Sequence, residues 1–372
     1  MKKLFLLLSL TLFIMGCKDD FNIDNLPEAS AKMVVYCMPS ASDTTYITVS
    51  RSIPLKQLND RKPNPMIDNA HIHYHLNGQA LPVTTLGDGR YRVVAHQKTG
   101  DKVNLHVEAE GLTSVDASTE IPPVITANNL SVRKVKVKDL SSSELRTYQQ
   151  VMATFTDPAP SHDYYAVRIK AKVINACIVH CYHRNADNTM HYVQSFASYD
   201  DYMRYRDTEH WDSVAVNIAH SAEYLPITTS SERLLNPITD IDDDFDFSSD
   251  FYQDFYIFDD ATINGQTYTL HLNVAPNYRS IPLSTLAAAE LKAKYGIEEG
   301  FELEFYHITP TYYRFLQALN DVSNNSLAQA GLSQVRSTYS NIYNGMGICA
   351  VFNVTKSNIA KTEGKGWFKL TS

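Results

Sequence analysis

The sequence predicts a mainly β protein in two parts: a small β-sandwich over residues 32–123 and a larger β-rich domain over 124–372. Three observations predict it. Short runs of alternating apolar and polar residues outnumber helical patterns, and a period of two marks a strand with one buried face. Tyrosine is abundant, at 23 residues, and aromatic and β-branched side chains favour strands. Pro122-Pro123 divides the chain, because proline cannot continue a ladder.

The first part reads as about seven short strands. Residues 32–37 are a brief apolar strand and 44–50 alternate cleanly. Residues 54–65 hold three prolines and read as a surface loop. The run 70–76 alternates strictly and meets Asn77-Gly78, a hairpin turn signal, with 81–85 as the returning strand. Gly87-Asp88-Gly89 turns into 90–95, Gly100-Asp101 precedes 102–109, and 113–120 closes the set. This regular spacing is that of an immunoglobulin-like or transthyretin-like sandwich.

In the second part, 130–138, 148–156, 164–174, 190–197, 213–220 and 267–274 read as strands. Asp157-Pro158 ends one of them, and Asn264-Gly265 is a second hairpin signal. Residues 284–295 predict a helix, with Ser284 as cap and Gly296 as stop. Residues 300–308 return to strand. Thr309-Pro310 then opens a second helix, and 341–354 hold a glycine-rich turn and a last strand.

The amino end carries an address. Lys2 and Lys3 precede an apolar run, 4–15, too short to span a bilayer as a helix. It ends in Gly16-Cys17, which resembles the lipobox of a bacterial lipoprotein. The resemblance implies a signal peptide over 1–16, lipidation of Cys17 and a tether over 17–31. Lys18-Asp19-Asp20 resembles the acidic export signal that sends Bacteroidota lipoproteins to the outer face of the outer membrane. Three acyl chains suffice for stable attachment, and no other apolar run of spanning length exists. The expected location is therefore the outer membrane, lipid-anchored, on its extracellular face. The formal charge of −8 becomes −10 without Lys2 and Lys3, which argues against a nucleic-acid partner.

The layout as a whole resembles a known family. The residues that carry the resemblance are Glu120-Ile121-Pro122, Phe258-Asp259-Asp260 with Asn264-Gly265 and Tyr268, the strand running into an aromatic helix over 301–319, and Tyr339-Ser340-Asn341 through Asn344-Gly345-Met346-Gly347-Ile348. Together they resemble the Bacteroidota surface lipoproteins of domain-of-unknown-function family 4249. Cys349 departs from the aliphatic or aromatic residue usual after this last motif. The resemblance implies an accessory lipoprotein working beside a TonB-dependent outer-membrane receptor, and it implies no catalytic residues. The glycine turn itself reads as fold-forming.

Three clusters invite chemistry. Cys177, His180, Cys181 and His183 offer soft ligands for zinc or copper, but the spacing matches no known zinc module, and a disulfide or two free thiols are the simpler readings. With Cys37 and Cys349 the chain holds four thiols besides Cys17, which allow three pairings. His71, His73 and His75 share a strand face, for which a solvated polar face is the simpler reading. The acidic stretch 240–246 suggests calcium but fails the EF-hand pattern, with Phe245 and Phe251 where Gly and Glu belong. A looser calcium loop and a plain exposed acidic loop stay open, and its aromatics, Phe245, Phe247, Phe251, Tyr252, Phe255 and Tyr256, suggest a third reading, a docking surface for a protein partner, a glycan or a peptide. Signatures of nucleotide-binding loops, zinc proteases and serine hydrolases are missing. The sequence therefore favours a non-catalytic binding accessory. The alternatives are an assembly subunit of an outer-membrane complex without a small ligand and a hydrolase acting on surface polymers.

Overall fold

The computed structural model describes residues 29–54, 64–138, 145–235, 255–275, 283–296, 299–324, 339–361 and 368–370. The lipobox region, with Cys17, Lys18, Asp19 and Asp20, lies outside the described residues, as do the whole acidic stretch 240–246 and the aromatics Phe245, Phe247, Phe251 and Tyr252. The fold is mainly β, as the alternation predicts.

The amino-terminal strands are β1 (Met33–Cys37), β2 (Thr44–Arg51), β3 (His71–Leu76), β4 (Gln79–Leu81), β5 (Val83–Gly87), β6 (Arg90–Val94), β7 (Lys102–Glu108) and β8 (Val115–Glu120). They form two facing sheets, and alternate residues such as Val35, Ile47, Tyr74, Val93 and Leu105 fill the layer between them. Asn77 and Gly78, at φ 52° and 83°, make the tight turn from β3 to β4.

The rest comprises β9 (Asn128–Lys138), β10 (Leu145–Thr156), β11 (Tyr164–Arg184), β12 (Met190–Phe196), α1 (Tyr199–Tyr205), β13 (Ser213–Leu225), β14 (Ile227–Thr228), β15 (Tyr256–Asp259), β16 (Thr267–Val274), α2 (Thr285–Tyr295), β17 (Gly300–Ile308), α3 (Pro310–Asn324), β18 (Met346–Cys349), β19 (Phe352–Lys361) and β20 (Phe368–Leu370). Neighbouring strands run β11-β17-β19-β20-β9-β10-β16-β14. The segment 213–228 closes the ring: Leu225 pairs with Ile169 of β11, and Ile227, two residues on, pairs with Val274 of β16. Closure removes the open edges along the ring, and β12 stays as an outer strand on the far half of β11. The interior is filled by inward side chains, among them Phe155, Tyr165, Phe258 and Phe305.

Two details differ from expectation. Sheet membership does not follow a single cut at Pro123, because β18 returns to the sandwich and pairs parallel with β1. Gly347 permits this at φ 103°, where a Cβ would stand 2.1 Å from the carbonyl oxygen of Val35. A third helix, α1, follows β12; the Ser198 hydroxyl caps it by accepting from the Asp201 N–H at 3.1 Å. Helices α2 and α3 form where their caps predict. Ser284 accepts from the Ala287 N–H, and Gly296 ends α2 in the left-handed region. Helix α3 lays Tyr312 and Leu316 on Tyr306 and Ile308 of the barrel wall, on Ile348 of β18 and on Ala350 just beyond it, wedging the joint between sandwich and barrel.

Candidate functional site

Each barrel strand alternates inward and outward side chains, and at one end the inward positions change from apolar to ionisable. Asp157 follows Phe155 by two residues, Asp163 precedes Tyr165 by two, Asp260 follows Phe258 by two, and His307 follows Phe305 by two. The period of two therefore aims four chemistry-bearing side chains at one point over the last aromatic layer. All four are buried.

Their partners define the geometry. Asp157 accepts from the Tyr165 hydroxyl at 2.5 Å and from the Gly265 N–H at 2.8 Å. Asp260 accepts from the Asp163 N–H at 2.9 Å and from the Asn264 amide at 3.0 Å, both on Oδ2. Asp163 accepts from the Ser161 hydroxyl at 2.6 Å. His307 Nε2 lies 2.8 Å from Asp163, and its Nδ1 lies 2.7 Å from the Pro123 carbonyl. A carbonyl only accepts, so Nδ1 donates. The contact at Nε2 needs a second proton, held by the imidazole or by Asp163. Tyr165 stacks on the His307 ring, with centroids 5.3 Å apart.

Burial raises the Asp157 carboxyl; the Tyr165 and Gly265 donors oppose the shift, while the charges of Asp260 and Asp163 add to it. Burial and the neighbouring Asp157 push the Tyr165 phenol far up, so it stays a hydrogen-bond donor. Beside the cluster opens a cleft of about 310 Å³ between sandwich and barrel, lined by Ile121, Pro122, His162, Asp163, His307 and Thr311 among others. Asn353 donates to the Pro122 carbonyl at 2.5 Å, fixing the sandwich's last residues to the barrel.

Several residues that carry the sequence resemblance meet here: Pro122, Asp260 and the Asn264-Gly265 turn. The family model described as Domain of unknown function (DUF4249) matches residues 18–358. The chain belongs to this family. No curated protein and no solved structure shows a significant match to it.

The other candidate residues of this DUF4249 protein are dispersed. In β11 the alternation buries Cys177 and Cys181 against α1 and α2 and turns His180 to the opposite face, while His183 lies 3.5 Å from Asp212. The four do not converge. Among the described residues, the side chains close enough to share an ion are Asp157, Asp163 and Asp260. Burial raises both thiols and keeps them protonated. Cys37 and Cys349 are direct partners across β1 and β18, and all four thiols are free.

His71 and His73 point to solvent. His73 faces His106, whose two ring nitrogens lie 2.7 Å from Asp116 and 3.1 Å from Glu108. These carboxylates raise the His106 imidazole. Of the aromatics proposed as a docking surface, Tyr256 is buried in the barrel and accepts from the Ile227 N–H. Phe255 packs on Tyr306 and over the Arg168 guanidinium. Tyr256 is thereby spent inside the fold and is withdrawn from that surface, while Phe255 is half-buried.

Asp163 and His307 carry no local motif. The signal that finds them is an inward strand position, two residues from an aromatic, occupied by Asp or His.

Proposed function

We propose that this protein is a lipid-anchored binding accessory of a TonB-dependent receptor on the outer face of the outer membrane, with no chemistry of its own. One observation carries the reading: Gly16-Cys17 after the apolar run 4–15, followed directly by Lys18-Asp19-Asp20. Among the described residues no helix is long and apolar enough to cross a membrane, so a lipid on Cys17 would supply the attachment. Confinement to the membrane plane raises the effective concentration beside a receptor, so even a weak contact is populated. The cleft between sandwich and barrel, polar on the His162 side, offers a concave surface to a small ligand or a peptide.

A metabolic label of alkyne fatty acid should mark the wild-type chain and leave Cys17→Ser unmarked. Protease added to intact cells should degrade the wild type, and a native-membrane pull-down should recover a receptor. An unacylated, protease-protected chain would overturn the proposal. A second reading, an assembly subunit without a small ligand, is favoured by the barrel interior, which apolar side chains such as Phe155, Tyr165 and Phe305 fill. Its signature in the same pull-down is a set of envelope assembly components without a nutrient receptor.

A further inference from the structure

We propose that Asp157, Asp163 and Asp260 together bind one calcium ion at the mouth of the barrel. One carboxylate oxygen from each of the three lies within 4.8 Å of the others. Calcium sits about 2.3–2.6 Å from its oxygens, so one ion reaches oxygens up to about 5 Å apart.

The second observation is an orphaned atom. Asp260 is fully buried, and its Oδ1 has no aligned hydrogen-bond donor. His162 Nδ1 stands 2.5 Å from that oxygen but off the line of a hydrogen bond. A buried carboxylate oxygen without a donor is costly unless a cation meets it.

Charge points the same way. Three acids share one buried site, and the ion-pair partners there are two imidazoles, His162 and His307. Among the described residues no lysine or arginine reaches these acids. The existing hydrogen bonds leave lone pairs free, since a carboxylate accepts at about four sites. The set is hard and anionic, which suits calcium and not a soft transition metal. His162 is half-exposed and borders the cleft, so an ion has a route in from solvent.

The test uses the full chain, purified in detergent and stripped with a chelator. Calorimetry should find one Ca²⁺ per chain. Calcium at about 1 mM should raise the thermal midpoint by several degrees, reversibly with chelator. Bound Tb³⁺ should luminesce on tyrosine excitation, with Tyr165 beside the site, and Ca²⁺ should quench that signal by competition. Asp260→Asn should weaken Ca²⁺ binding by about tenfold or more. Asp157→Asn should do the same and supplies the location test should the first variant not fold. Asp242→Asn, in the acidic stretch, should change nothing. A stripped wild type that binds no Ca²⁺ at about 1 mM overturns the proposal. So does a set of variants in which Asp242→Asn abolishes binding while the barrel-mouth variants keep it.

Discussion

Glu304 shows how much one buried charge depends on its neighbours. Burial alone would raise its carboxyl, but the Tyr306 hydroxyl and the ammonium groups of Lys356 and Lys170 hold it down to about 2, from an ordinary 4.5. A carboxyl depressed on folding stabilises the fold above its unfolded value and loses that contribution as pH falls through the folded one. Glu304→Gln should therefore cost up to about 3 kcal/mol at neutral pH and progressively less between pH 4.5 and 2; urea midpoints at several pH values will show it. Gly265 gives a second prediction. At φ 69°, a Cβ there would lie 2.7 Å from the Cβ of Ala159, on the loop whose Asp157 accepts from the Gly265 N–H. Gly265→Ala should cost about 1–3 kcal/mol, read from denaturant unfolding. At this scale the sequence was legible where chemistry is local: the Asn77-Gly78 turn and the Ser284 and Gly296 caps act through their immediate neighbours. The barrel-mouth site was not, because Asp157 and Asp260 are 103 residues apart and meet only through strand pairing.

At the scale of elements, β18 is the most informative. It was legible as a strand after a glycine turn, but its partner was not, since β1 lies about three hundred residues earlier in the chain. Its attachment rests on a close approach that any side chain at position 347 would prevent. Gly347→Ala should therefore release the Met346–Cys349 edge at a cost of about 3 kcal/mol or more. Hydrogen exchange should show faster exchange in that strand than in β2. Strand β11 teaches a related lesson. Its 21 residues run past the expected end at 174 through register shifts near Ile174 and Cys181. One strand thereby serves both the barrel and the helical cap formed by α1 and α2. Alternation broken by irregular pairing is hard to read from sequence, and this is why the continuation of the strand through Cys177 and His183 was not legible.

For the whole molecule, sandwich and barrel are tied by polar bonds from Pro122 and Pro123 to Asn353 and His307, by α3, and by the return of β18. The sandwich core includes Ile342 and Cys349 from the far end of the chain. A fragment of residues 29–123 lacks them and should fail to give the dispersed amide spectrum of a folded sandwich, whereas 29–361 should give it and unfold in one cooperative transition. The class of fold was legible because period-two patterning is local to each strand. Closure of the barrel was not, since it depends on the segment 213–228 leaving one partner for another between Leu225 and Ile227.

The position of β1 has a mechanical consequence. It is an inner strand, antiparallel to β2 on one side and parallel to β18 on the other. In a chain held at its amino end, drag from moving fluid would enter the fold at Met33 as tension. That tension is carried in shear across two ladders at once, and peeling a rim strand bond by bond is not open to it. One of the two ladders comes from the opposite end of the polypeptide, so force on the front of the molecule is resisted by its back.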